Sequence, residues 1–320
     1  MMTIKFFKIV LAIFLVISAI FIANGITYAD SHEDIQKYTE QIAKNPNDVE
    51  AYNERGFLYA ELGQYELAIQ DYSKSIELNP NDEFTYYNRG SVYAELGQYE
   101  LAIQDYSKSI ELNPNWAWSY GNRGIIYSDL GKYELAFQDF NKAIQLNPNN
   151  KYIYYNRGST YADLGQYEQA IQDFNKAIQL DPNSVESYAN RGNAYANLGQ
   201  YGQAFQDYNK AIQLDPNNKY IYYNRGSTYS DSGQYELAIQ DFNKAIQLDP
   251  NSAESYANRG NAYANLGQYE QAIQDYSKSI ELNSNFPNSY YGRALVYEKL
   301  GNITAAQADF EKAKELGYKE

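Results

Sequence analysis

A chain of 320 residues with 44% hydrophobic content could fold as one or two ordinary domains. Its 40 acidic side chains outnumber 26 basic ones, a net charge of −14, which argues against nucleic acid or an anionic membrane as partner because phosphate groups need a basic surface. The absence of cysteine excludes disulfides, thiolate catalysis and cysteine-ligated zinc, and leaves the compartment open.

Residues 1–29 read as a leader. Lys5 and Lys8 precede an uncharged run from Ile9 to Ile22, and a more polar stretch ends in Thr27-Tyr28-Ala29. This resembles a bacterial secretory signal peptide. The run of 14 residues is short for a membrane span, which needs roughly 18 or more, and Ala29 is small enough to precede a cleavage site. The expectation is cleavage after Ala29 and a secreted or periplasmic product, with net charge −16 once the two lysines are gone. The alternative is an uncleaved anchor over residues 6–22, facing outside the cytoplasm and giving the only membrane contact. No cysteine follows the run, so a lipoprotein anchor is excluded.

Residues 30–48 read as a lead and a capping half-repeat, with Tyr38, Ile42 and Pro46 at the places of a second helix. From residue 49 the chain divides into eight units of 34 residues: 49–82, 83–116, 117–150, 151–184, 185–218, 219–252, 253–286 and 287–320. An arginine recurs at the seventh place of every unit, from Arg55 to Arg293. In unit 4, Tyr154, Arg157, Gly158 and Tyr161 share one helical face, and Tyr167, Ala170, Ile171, Phe174 and Ile178 share another. Leu164-Gly165 marks a turn between two amphipathic helices, and Asp181-Pro182-Asn183 stops the second.

Tyr154, Gly158, Tyr161, Tyr167, Ala170, Phe174, Ala177 and Pro182 resemble the signature of the tetratricopeptide repeat family. The resemblance covers 272 of the 320 residues. It implies an all-α fold of the alpha-alpha superhelix class, a right-handed solenoid whose concave groove is built mainly from the first helices. Units 4–5 and 6–7 are nearly the same text, which indicates a duplicated two-repeat block. The last unit diverges most, as a terminal repeat does.

Of the 36 tyrosines, 27 lie at places 4, 11, 17 and 24, where the signature expects core. Tyr87, Tyr152, Tyr155, Tyr220, Tyr223 and Tyr291 lie instead at places 2 and 5, with Phe84 and Trp118 also at place 2. The resemblance assigns these places to the groove, and large exposed aromatics mark interaction sites; incidental packing on the neighbouring helix is the competing reading. Place 6 holds Asn88, Asn122, Asn156, Asn190, Asn224 and Asn258. This series resembles the asparagine ladder of O-linked N-acetylglucosamine transferases, whose amides grip an extended peptide backbone. A carboxamide can donate and accept together, although duplication would also copy an unused asparagine.

Place 13 carries Glu61, Glu95, Asp129, Asp163 and Asp231, so the groove should be acidic and aromatic. It lacks the basic set with which chaperone-binding members clamp a terminal carboxylate. Arg and Asp recur together at places 7 and 23 in all eight units, which reads as a structural pair between helices. His32, the one histidine, lies in the lead, and no Gly-rich phosphate loop or catalytic carboxylate pair is recognisable. No catalytic, metal or cofactor-binding residue is nominated. The expectation is a non-enzymatic scaffold outside the cytoplasm that binds a neutral or basic extended peptide or protein segment, with no nucleic acid and no small-molecule cofactor. A glycan or cell-wall binding protein and a secreted host-interaction factor are the alternatives.

Overall fold

The computed structural model describes residues 28–318. The expected leader, up to residue 27, and the alternative anchor over residues 6–22 lie outside the described residues. Within them there are 17 helices and no strands. Helix α1 (Tyr28–Lys44) is followed by eight helix pairs. The first helices are α2 (Val49–Glu61), α4 (Glu83–Glu95), α6 (Ala117–Asp129), α8 (Lys151–Asp163), α10 (Val185–Asn197), α12 (Lys219–Asp231), α14 (Ala253–Asn265) and α16 (Pro287–Lys299). The second helices are α3 (Tyr65–Leu78), α5 (Tyr99–Leu112), α7 (Tyr133–Leu146), α9 (Tyr167–Leu180), α11 (Tyr201–Leu214), α13 (Tyr235–Leu248), α15 (Tyr269–Leu282) and α17 (Ile303–Glu315). No helix among the described residues is long and apolar enough to cross a membrane.

The chain divides into two compact units, residues 28–160 and 161–318, with the division inside α8. In each unit the two helices of a repeat pack on each other, and the second helix touches the first helix of the next repeat. First helices also touch their counterparts, as α2 touches α4 and α12 touches α14. Within each unit the first helices therefore form one layer and the second helices another.

Local chemistry explains the helix ends. Asp48, Ser184 and Ser252 cap first helices by accepting the backbone N–H of Ala51, Ser187 and Ser255, which satisfies a donor the helix leaves open. The turn inside each repeat passes through a left-handed glycine, with φ of 70° at Gly63 and 77° at Gly233, where a side chain would be strained. Pro80 and its equivalents through Pro250 end six of the second helices, because the residue before proline avoids helical geometry.

The core of each repeat is the aromatic at place 24. Tyr72, Tyr106, Phe140, Phe174, Tyr208, Phe242 and Tyr276 are all buried. Each ring is admitted by the small residue at place 8. A Cβ on Gly192 would lie 2.9 Å from the Tyr208 ring and 3.3 Å from the Ala204 carbonyl oxygen. The ring and the backbone cannot both yield. Gly192→Ala is therefore expected to lower stability by about 1–3 kcal/mol in urea unfolding, although alanine alone favours a helix interior by about 1 kcal/mol.

The tyrosines at places 4 and 11 pack at the edge of this core, as Tyr188 and Tyr195 do against the cluster around Tyr208. They are half-buried and bracket the guanidinium at place 7, as Tyr222 and Tyr229 do at 5.8 and 5.9 Å from Arg225. That arginine forms two hydrogen bonds with the place-23 aspartate of its own repeat, both 2.7 Å for Arg225 and Asp241. The same fork joins Arg55 to Asp71, Arg89 to Asp105, Arg123 to Asp139, Arg191 to Asp207, Arg259 to Asp275 and Arg293 to Asp309. A further N–H reaches back to place 25 of the preceding repeat, from Arg123 to Ser107 at 2.8 Å and from Arg225 to Asn209. Helix α1 takes the place of a second helix ahead of repeat 1 in this ladder. Its Ile35 and Tyr38 pack on the core of repeat 1, and Thr39 Oγ1 accepts from Arg55 at 3.0 Å.

Candidate binding face on the first helices

The residues assigned to the groove separate into a buried set and an open set. Asn122, Asn156, Asn190, Asn224 and Asn258 are buried, and Asn88 is half-buried. Asn122 Nδ2 donates to the Tyr87 hydroxyl of the preceding repeat at 3.1 Å, and Asn258 Nδ2 to the Tyr223 hydroxyl at 2.9 Å. Asn224 Nδ2 donates to Asn193 Oδ1 at 3.0 Å, an oxygen that also accepts from the Tyr208 hydroxyl at 2.8 Å. The series thus corrects the expectation of an open ladder. The amides of Asn122, Asn224 and Asn258 face the preceding repeat, where a buried donor must find its acceptor.

The place-5 tyrosines are drawn inward for the same reason. Tyr87 and Tyr155 are buried, and Tyr223 and Tyr291 are half-buried. Tyr87 lies 5.8 Å from Tyr106 and Tyr223 lies 6.1 Å from Phe242, ring centre to ring centre. Tyr291 stacks on Tyr318 at 4.0 Å and meets Phe310 at 5.5 Å. Burial raises the Tyr87 and Tyr223 pKa values above the usual phenol value, and the asparagine donors offset part of that. Tyr87 and Tyr223 thus join neighbouring repeats through those asparagines, while Tyr291 packs inside repeat 8.

What stays open is place 2. Phe84 is 46% exposed and Tyr220 is 42% exposed, while Trp118 and Tyr152 are half-buried. Trp116 was not assigned to the site from sequence. It occupies the N-cap place of α6, where every other first helix except α16, which has Phe286, carries Asp, Asn or Ser, and makes no side-chain cap bond. Its ring instead meets Phe84 edge to face at 4.9 Å and Tyr87 at 6.1 Å. An indole at a capping place was the available signal, since losing the cap costs roughly 1 kcal/mol.

The place-13 acids run along the C-terminal ends of the same helices. Glu61 and Glu95 are half-buried, and Asp129, Asp163 and Asp231 are exposed. Burial pushes the Glu61 carboxyl up to about 7 and raises Glu95 and Asp231 in the same direction. Glu61 Oε1 is buried without a hydrogen-bond partner. Folded Glu61 therefore holds a proton that the unfolded chain releases near 4.5, so its contribution to stability is lost as pH rises from about 4.5 to about 7. Glu61→Gln is expected to raise the melting temperature at pH 8 by roughly 1–3 °C and to leave it nearly unchanged at pH 4. An equal gain at both pH values would contradict this assignment.

Family profiles match along the repeats. A profile described as "TPR repeat" matches residues 158–199, 192–233, 226–267 and 260–301. Profiles described as "Tetratricopeptide repeat" match 49–82, 84–115, 117–150, 140–172 and 287–316. No curated protein matches the chain. Among solved structures, a tetratricopeptide repeat protein from Parabacteroides merdae is similar at 24% identity, covering 74% of this chain and 94% of its own, with a TM-score of 0.61. The Cut9–Hcn1 hetero-tetramer of APC/C is similar at 19% identity over 89% of this chain and 56% of that one, with a TM-score of 0.59. Both likenesses concern the fold. MamA is similar at 30% identity over 52% of this chain and 91% of its own, with a TM-score of 0.47. The eight arginine-marked helix pairs and the profiles that match them lead to one assignment: the chain belongs to the tetratricopeptide repeat family.

Proposed function

We propose that this protein is a non-enzymatic scaffold that binds an extended protein segment through exposed aromatics of its first helices, outside the cytoplasm. The observation that carries the reading is the exposure of Phe84 and Tyr220 at place 2, while Tyr87 and Tyr223 of the same helices bond to the next repeat. Large apolar rings left in water on a regular array are contact anchors. The acids at place 13 and the net charge of −14 favour a neutral or basic segment. Export is supported by Lys5, Lys8, the uncharged run Ile9–Ile22 and Ala29.

The test is co-purification from an extracytoplasmic fraction with the wild-type chain and with Phe84→Ala combined with Tyr220→Ala, beside a glycan array. A polypeptide retained by the wild type and lost from the double variant, with both proteins melting alike, supports the reading. Retention of a glycan alone, or equal capture by both proteins, contradicts it.

A further inference from the structure

Each first helix is tied to the second helix before it by the same guanidinium bond. The arginine at place 7 donates to the residue at place 25, as Arg89 does to Ser73 at 3.0 Å, Arg191 to Asn175 at 2.5 Å and Arg293 to Ser277 at 2.9 Å. All eight arginines of the chain do so, beginning with Arg55 and Thr39 of α1, and every acceptor is Thr, Ser or Asn. A neutral acceptor suffices there, because the guanidinium takes its counter-charge from place 23 of its own repeat, as Arg191 does from Asp207. Place 25 of repeat 8 differs: it is Glu311, a carboxylate, and it is exposed.

The face of repeat 8 that carries Glu311 is open. Its place-24 ring, Phe310, is half-buried, whereas the rings at place 24 of repeats 1 to 7 are at most 2% exposed. Leu295 at place 9 is 40% exposed. An open cavity of about 640 Å³ lies over Tyr291, Leu295, Phe310 and Ala313 and is edged by Glu298, Glu311 and Lys314. Two carboxylates against one ammonium leave that edge negative.

Contacts elsewhere in the array show what such a face receives. Place 27 meets place 3 of the following first helix, as Ser109 meets Ser119 at 2.8 Å and Ser279 meets Ser289 at 2.6 Å. Place 12 meets place 10, as Ser128 meets Thr160 at 2.9 Å. In repeat 8 places 27 and 12 are Ala313 and Glu298. Places 3, 7 and 10 of an incoming helix lie on one helical face, since they are spaced by four and three residues. They would meet Ala313, Glu311 and Glu298 in that order.

We propose that this face of repeat 8 docks a helix of a partner protein that presents a small or apolar residue, an arginine four positions on and a hydrogen-bond donor three positions after that. A helix that arrives alone brings no place-23 aspartate for its guanidinium, and Glu311 supplies the missing charge through a bond a guanidinium makes well. A second copy of this chain has no arginine to offer, because all eight already bond within their own array. Neither Phe84 nor Tyr220 takes part.

The probe is a peptide with the sequence of residues 218–231, which carries Ile221, Arg225 and Thr228 at the required spacing. A hydrocarbon staple between the positions of Tyr223 and Ser227, on the opposite side, holds it helical. Its twin has neutral, isosteric citrulline in place of the arginine. Both are titrated against the full chain and followed by the ring signals of Phe310 and Tyr318. The arginine probe is expected to bind roughly fivefold more tightly than its twin and to move both rings. Glu311→Gln should abolish the preference, and Glu315→Gln, an exposed carboxylate of the same helix, should keep it. Equal affinity of the two probes, no binding of either, a preference that survives Glu311→Gln, or shifts centred on repeat 5 overturns the proposal. A dimer in sedimentation that Leu295→Asp dissociates also overturns it, because a second copy then covers the face.

Discussion

Arg225→Ala is expected to lower stability by about 3–5 kcal/mol, the cost of leaving a buried charge without its partner. The Asp241 side chain is 7% exposed and that of Arg225 is 18% exposed, so neither ion can turn to water for compensation. Burial already raises the Asp241 pKa against the pull of the arginine, and removing the guanidinium leaves burial unopposed. The same substitution also takes away the donor to Asn209 and the cation between Tyr222 and Tyr229. Its effect should therefore reach into repeat 5. Urea unfolding gives the size of the loss, and hydrogen exchange over residues 201–248 gives its location, because an array loses stability through neighbouring repeats. Asp241→Ala in the same chain should recover part of the loss, since it removes the stranded carboxylate. Loss of partner binding with unchanged stability would mean that the pair belongs to the binding face.

The second large effect concerns how asparagine at place 6 is satisfied. Repeats 2 and 6 offer it a tyrosine hydroxyl from place 5 and carry serine at place 9, as Tyr87 with Ser91 and Tyr223 with Ser227. Repeat 5 has Ala189 at place 5 and supplies the oxygen from Asn193 at place 9. Asn193→Ser strands the amide of Asn224 and the hydroxyl of Tyr208 together, at a cost of about 2–3 kcal/mol. Ala189→Tyr alone forces a ring into a filled joint, costing about 1–3 kcal/mol. Combining them reproduces the chemistry of repeat 2, where the Tyr106 hydroxyl and Ser91 Oγ share a hydrogen bond at 3.2 Å. The double variant is expected to lose at least about 1 kcal/mol less than the two single losses added. Additive losses in urea unfolding would mean that the two arrangements are not interchangeable.

These two joints show what the sequence could and could not reveal. The 34-residue period, the paired helices and the ring at place 24 were legible, because Arg at place 7, Gly or Ala at place 8 and the left-handed glycine are each dictated inside a single repeat. The joints were not. Whether Tyr87 or Asn122 faces water depends on a side chain about 35 positions away, and neither amphipathicity nor residue type reports that distance. The alternation of Tyr with Ser and Ala with Asn at places 5 and 9 carried the signal, since each combination supplies one buried oxygen. Trp116 was passed over because place 34 reads as a cap and an indole cannot cap.

The proposed function places the partner on the first helices, and site-specific photocrosslinking tests that most directly. A photoreactive phenylalanine analogue is introduced singly at Phe84 and Tyr220 on first helices, and at Leu101 and Leu237, which are 41% and 39% exposed on second helices. Each protein is irradiated with the extracytoplasmic fraction. The account predicts a shared crosslinked polypeptide at 84 and 220 and none at 101 or 237. Crosslinks confined to 101 and 237 would contradict it.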